Sequence, residues 1–252
     1  MGEAANSADD DIVTAGFVVI GDEILSGRTK DKNIGYLADF LTAHGIDLAE
    51  VRIVPDETGR IVEAVRALSA RYTHVFTSGG IGPTHDDITA DAIAAAFGVG
   101  IDFHPEAVAL LSARYGNADL TQARMRMARI PDGASLIPNS VSQAPGFKIG
   151  NVHVMAGVPA VFEAMLEALG PTLAHGRLVL SRAIEAHMAE GRVADDLRRI
   201  QDAHTGVAIG SYPQYDGKTY STQLVVRSRD EALLERVVGE IEEALARLRA
   251  EA

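Results

Sequence analysis

Cysteine and tryptophan are absent from this chain of 252 residues, and aromatic residues make up only 5% of it. The missing cysteines exclude disulfides, thiolate metal sites and a cysteine nucleophile, and a reducing cytosol is compatible with that. No apolar run approaches the roughly eighteen residues that a membrane span requires, so no membrane partner is expected. Positive charge is also scarce. The formal net charge is −12, and the deficit lies mostly in residues 1–175, with 12 Lys and Arg against 22 Asp and Glu. An acidic chain without a basic stripe makes nucleic acid a poor partner, because phosphate neutralisation supplies most of that affinity. There is no G-x-S-x-G elbow, no P-loop Lys-Ser pair, no G-x-G-x-x-G fingerprint and no helical His pair at i, i+4. Serine hydrolase, P-loop NTPase, standard dehydrogenase and His-zinc readings fall with them. Residues 1–11 carry neither the basic start nor the apolar stretch of a secretory signal; they read as a mobile acidic tail, with the cytoplasm as default location.

What is present is enough apolar material, 47% of residues, for a full core. Residues 12–20 form a β-branched apolar run, followed by a helical pattern around Ile34, Leu37, Ala38 and Leu41 that stops at Gly45. The same order repeats with a strand at 46–54, a helix with Ile61, Val65 and Leu68 on one face, and a strand at 73–77. This alternation predicts an α/β fold: a mostly parallel sheet with helices on both faces. A helix opening at His104-Pro105-Glu106, a second over 120–129, and a hairpin of 146–149 with 152–155 across Gly150-Asn151 follow. A helix with Val161, Met165 and Leu169 on one face then runs to Gly170-Pro171. The order of elements changes beyond Gly170–Gly176, giving a large domain over 12–170 and a small one over 176–252. The small one reads β-α-β-β-α, an α+β unit with a turn at Asp216-Gly217 and a sheet covered on one side.

The most informative segment is Ser78-Gly79-Gly80-Ile81-Gly82-Pro83-Thr84-His85-Asp86-Asp87-Ile88-Thr89, a glycine-rich turn between the third strand and a helical pattern. Main-chain N–H groups in such a turn attract anions, and glycines permit close approach of a ligand. Asp86 and Asp87 would repel the same anion unless a divalent cation stood between carboxylate and phosphate. The first βα loop, Gly21-Asp22-Glu23-Ile24-Leu25-Ser26-Gly27, puts Asp22 at the carboxyl end of the first strand. In open parallel sheets those ends share one rim, where ligands collect, so Asp22, Asp86 and Asp87 are expected to converge there. Competing readings stay open. Thr84 to Asp87 also has the spacing of a capping box, and acids are favoured at helix starts by the macrodipole. Asn33 either contacts ligand or caps its helix. Residues 139–147 form either a pocket wall or a connection, Gly157-Val158-Pro159 either a second anion-friendly helix start or a routine one. His85 is read as an exposed turn residue, and Tyr212 and Tyr215 stack on a base or pack an interface.

The first-loop and glycine-turn motifs resemble the paired signatures of the MoaB/Mog molybdopterin-binding fold. The GPTxDDxT wording resembles its CinA branch, the competence/damage-inducible proteins. Ala144-Pro145-Gly146-Phe147 fits the later ApG segment of that branch, and Gly210-Ser211-Tyr212-Pro213 is similar to a segment also found in the related domain of eukaryotic FAD synthase. The resemblance spans residues 12–250. Two departures are visible: Ala160-Val161-Phe162-Glu163 does not align simply with the branch's PGVPxEM, and the sequence ends near 252 without the nicotinamide-mononucleotide deamidase domain of full-length CinA, so that activity is not expected. Residues 176–252 look KH-like, but with a net charge of about −2 and no G-x-x-G loop they do not imply RNA binding.

The resemblance implies a metal-dependent pyrophosphatase acting on ADP-ribose- or FAD-type diphosphates. In it, Asp22, Asp86 and Asp87 hold Mg2+, Mn2+ or Co2+ and carry the catalysis. Glu23, Asn33, Ser78, Gly79, Gly80, Gly82, Pro83, Thr84 and Gly146 contact substrate, and K+ is an auxiliary ion. The alternative is a non-hydrolytic module that binds a molybdopterin-type pterin phosphate in molybdenum-cofactor assembly. A homo-oligomer, dimer before trimer, is implied as well.

Overall fold

The computed structural model describes residues 12–215 and 220–251. The expected N-terminal tail and the Asp216-Gly217 turn lie outside them. The chain divides into two compact units, the first ending at Gly176 and the second beginning at Arg177.

The first unit runs in order β1 (Val13–Ile20), α1 (Asp22–Leu25), α2 (Asn33–Ala43), β2 (Ile46–Val54), α3 (Thr58–Ser69) and β3 (His74–Ser78). It continues with α4 (Thr89–Phe97), β4 (Ile101–Phe103), α5 (Pro105–Asp119, interrupted at Gly116), α6 (Gln122–Met125), β5 (Arg129–Pro131) and β6 (Ser135–Ile137). The last elements are β7 (Gly146–Ile149), β8 (Val152–Met155) and α7 (Pro159–Leu169). Six strands form one sheet in the order β2-β1-β3-β8-β7-β6. The β2, β1, β3 and β8 ladders are parallel, and β7 and β6 close one edge antiparallel. Both central strands, β3 and β8, are buried along their whole length, as strands of a parallel sheet covered on both faces are, and they carry the polar His74, Thr77, Ser78 and His153 inside.

Each face of the sheet carries its own core. Ile61, Val65 and Leu68 of α3, Ile93 of α4 and Leu111 of α5 cover one face with Val18, Val75 and Val154. Leu37 and Leu41 of α2 and Phe162, Met165 and Leu166 of α7 cover the other with Phe17, Val19 and Phe76. Side chains of adjacent β1 residues enter opposite cores, as the two-residue period of a strand requires. The hairpin across Gly150-Asn151 forms as expected, with Ile149 opposite Val152 and Gly150 at φ 57°. The segment 120–129 differs from expectation. Its helix is short, and Arg129 to Pro131 pairs antiparallel with Ile101 to Phe103 in a separate two-stranded ribbon. Three-residue strands are too short to display a period, so neither was legible.

The second unit contains β9 (Leu180–Glu185), α8 (Glu190–Ala203), β10 (Val207–Tyr215), β11 (Tyr220–Ser228) and α9 (Glu231–Ala250), in antiparallel order β10-β11-β9. This is the β-α-β-β-α order read from the sequence. Leu224 and Val226 of β11 face a core shared with Val193 and Ile200 of α8 and Leu234, Val237, Ile241 and Leu245 of α9. Asp230 caps α9, accepting from the Leu233 N–H at 3.0 Å.

Polar groups inside the first unit set its acid sensitivity. His153 on β8 is fully buried, stacks on Phe76 at a centroid distance of 4.9 Å, and shares one hydrogen bond with His74 at 3.3 Å. Burial first, then the neighbouring His74 and Lys148, pushes its imidazole down to about 3, and burial lowers His74 too. An unfolded histidine titrates near ~6.5. Between those values the unfolded chain binds a proton the folded one refuses, so stability is complete above ~6.5 and declines as pH falls, at up to about 1.4 kcal/mol per pH unit for one such group. The urea midpoint should therefore drop between about pH 7 and about pH 5.5. His153→Phe should flatten that dependence, and an unchanged slope in the variant would refute the assignment.

Candidate functional site

The carboxyl ends of β1, β2, β3 and β8 meet on one rim of the sheet, and the residues singled out in the sequence collect there. The Gly79 Cα approaches β1 so closely that a Cβ would stand 2.2 Å from the Ile20 carbonyl oxygen, at φ 106°. At Gly80, φ 68°, a Cβ would fall 2.1 Å from the Thr89 hydroxyl. The buried Thr89 holds the turn from behind: its hydroxyl donates to the Gly79 carbonyl and its N–H to the Gly80 carbonyl, each at 2.9 Å. Gly79 and Gly80 are thus required for close approach and left-handed backbone.

Their role as anion donors divides differently from expectation. The Gly79 N–H is engaged by the Met155 carbonyl at 3.1 Å, and that of Gly82 by the Asp87 carboxylate at 2.7 Å. The N–H groups of Gly80 and Ile81 donate to no described residue, and these are the turn's open donors. Asp87 accepts from Gly82, from the Thr84 N–H at 2.7 Å and from the Thr84 hydroxyl at 2.5 Å, so both its oxygens serve the turn. The Thr84 to Asp87 pair caps no helix, because α4 begins only at Thr89; it closes the loop ahead of it. Pro83, Thr84, His85 and Asp86 are exposed on that loop. The Thr84 hydroxyl first, then its own main-chain N–H and His85, hold the Asp86 carboxyl below the usual carboxylate range.

Asn33 and Ser78 are both buried and engaged with each other. The Asn33 amide donates to the Ser78 hydroxyl at 2.7 Å and to the Gly157 carbonyl at 2.9 Å, which ties α2 to the ends of β3 and β8. Asn33 therefore does not cap α2, where Asp31 accepts from the Ile34 N–H at 2.8 Å, and its side-chain N–H groups are committed to this tie. Gly146 also proves internal: at the start of β7, a Cβ there would lie 2.4 Å from the Val154 carbonyl oxygen. Its neighbours Pro145 and Phe147 do wall a cavity beside the turn, so this segment reaches the site through them.

Two functional candidates escaped the sequence. Asp56, two residues beyond β2 on the same rim, accepts from the Asp22 N–H at 2.9 Å. Burial lifts its carboxyl above the usual range, and the charges of Asp22, Glu23 and Asp86 add to that against the lowering by the Asp22 hydrogen bond. The acids that gather are thus Asp22, Glu23, Asp56 and Asp86, with Asp87 withdrawn into its turn. The rule that every parallel strand ends on one rim would have pointed to Asp56. The second is Arg126, just after α6, whose guanidinium donates to the Asp87 carbonyl at 3.2 Å. Among the described residues no three His, Asp or Glu side chains sit close enough to hold a metal ion. The rim as arranged does not fit a preformed cation site built from Asp22, Asp86 and Asp87.

On the opposite face of the sheet a second cleft is lined by Glu23, Lys30, Lys32, Asn33, Ser78 and Gly157. Acids, open amides and flanking clefts thus lie together at the carboxyl rim of a parallel sheet, the place where open α/β domains receive ligands. Comparison with known proteins gives the family. The model described as "Probable molybdopterin binding domain" matches residues 16–175, and the FAD synthase middle domain matches 178–250. The chain belongs to the molybdopterin-binding-domain family, and its likeness within it is to CinA. The crystal structure of the CinA protein from Thermoplasma acidophilum is 36% identical, with a TM-score of 0.61 over 64% of this chain and 98% of that one. Protein Ta0487 from the same organism is 32% identical over 92% of this chain and 93% of its own length. A probable FAD synthase from Caenorhabditis elegans is 30% identical over 92% of this chain, which spans 50% of that longer protein. In the second unit, no helix among the described residues, and none in the first, is long and apolar enough to cross a membrane.

The tie at Asn33 makes a test of structural against ligand roles. Asn33→Ala leaves a buried hydroxyl and carbonyl with fewer partners and should cost about 1–3 kcal/mol in urea denaturation. Gly79→Ala, which drives a methyl into the Ile20 carbonyl, should cost more than about 1 kcal/mol. Wild-type midpoints in both variants would contradict the geometry.

Proposed function

We propose that the first unit binds a diphosphate of the ADP-ribose or FAD type across the glycine turn and hydrolyses its phosphoanhydride bond. The observation that carries the reading is the pairing of open N–H groups on Gly80 and Ile81 with an acid group of raised proton affinity, Asp56, on the same rim. The amides stabilise charge that develops on a phosphoryl oxygen, where fixed dipoles act without reorganisation. Asp56, oriented by the Asp22 N–H, takes the proton from the attacking water, and its lifted pKa brings it nearer the range in which a carboxylate is an effective base. Asp22, Glu23 and Asp86 keep the field at Asp56 negative, which favours that proton transfer. The second cleft, where Lys30 and Lys32 stand beside Glu23 and Asp31, offers polar groups of both signs to the rest of the ligand.

A second reading has its own support. The family's description names molybdopterin, and the same open amides of Gly80 and Ile81 suit a pterin phosphate held without cleavage. The two readings separate in one assay. Purified protein incubated with ADP-ribose or FAD, with and without Mg2+, Mn2+ or Co2+ and with K+ present, should release the mononucleotides, and Asp56→Asn should lower kcat by about 100-fold or more as expected for loss of a general base. Intact substrates under all these conditions, together with calorimetric binding of molybdopterin, would replace the first reading with the second.

A further inference from the structure

The cavity on the α4 side of the glycine turn contains a cation that the preceding roles leave unexplained. Gly80, Ile81, Arg126, Met127, Pro145 and Phe147 line it. Two carboxylates also border it, and both are satisfied. Asp87 accepts three hydrogen bonds from Gly82 and Thr84, and Asp91 accepts the two-pronged bond of Arg129 at 2.7 Å and 2.7 Å. Among the described residues Arg126 makes a single hydrogen bond, to the Asp87 carbonyl, and its buried Nε has no partner. A buried charged donor left unpaired opposes folding, so its retention calls for a ligand or a solvent molecule to complete it.

We propose that Arg126 is an oxyanion-binding residue of this site, and that the cavity receives one phosphate group of the ligand. The proposal rests on the phosphate-binding reading above and names the side chain that reading lacks. Three residues that line one space each carry a donor without a partner among the described residues: the N–H of Gly80, the N–H of Ile81 and the Arg126 Nε. A planar guanidinium with free N–H groups matches the spacing of phosphate oxygens, and a charged pair of this kind is about twice as strong as a neutral hydrogen bond. The cavity proper is small, about 20 Å3, so at most one oxyanion group can seat there and a whole dinucleotide cannot. Its apolar walls, Met127, Pro145 and Phe147, exclude competing water from the pair.

Calorimetric titration of the full chain with inorganic pyrophosphate tests this without requiring turnover. Wild-type protein should bind it, with affinity falling as salt rises. Arg126→Met, which keeps the apolar stem, should weaken binding about 10-fold or more, and Arg126→Lys, which keeps the charge without the planar fork, should recover part of the loss. A folded Arg126→Met variant with wild-type affinity would assign Arg126 to holding the Asp87 loop alone and overturn the inference, while the phosphate site itself would stand. If the Met variant does not fold, Arg126→Lys decides: affinity reduced about 3-fold or more supports the fork, unchanged affinity overturns it. Wild-type protein that binds neither inorganic pyrophosphate nor inorganic phosphate overturns both this inference and the reading beneath it.

Discussion

The approach of the Gly79 main chain to the end of β1 is the constraint on which the site depends. No side chain fits between Gly79 and the Ile20 carbonyl, and the turn is then locked from behind by two hydrogen bonds of Thr89 and from below by the Asn33 amide. These bonds consume polar groups that would otherwise be buried unpaired at the tops of three strands. They also determine which amides remain. Gly79 and Gly82 donate inward, to β8 and to Asp87, and the open positions pass to Gly80 and Ile81 between them.

Charge on the rim is divided along the same line. On one side burial, and after it the charges of Asp22, Glu23 and Asp86, raises the proton affinity of Asp56. On the other, Asp87 and Asp91 are neutralised by main-chain donors and by Arg129, which leaves Arg126 as the charge without a full set of partners. A chain with net charge −12 thereby keeps donors for an anion at the edge of an acidic cluster. Local geometry, rather than overall charge, decides what such a surface attracts.

Much of this was legible beforehand. Long strands and helices declared themselves by period and by glycine and proline punctuation, and the ends of β1 and β3 marked the rim. The short ribbon of β4 and β5 did not, since three residues carry no period, and with it went the placement of Arg126 and Arg129 beside the turn. Spacing could not place Asp87, because it is the same for an acid that faces a ligand and for one that, as here, folds back on its own loop.

By itself the sequence determined the α/β alternation and the β-α-β-β-α second unit, because each depends on neighbours within a few residues. Tertiary structure alone decided that the Asn33 amide ties α2 to β3 and β8, that Asp56 joins Asp22, and that Arg126 lines a cavity with Gly80. Those pairings join residues separated by 34 to 124 positions, and only the packing of strands and helices onto one rim brings their polar atoms within hydrogen-bond reach.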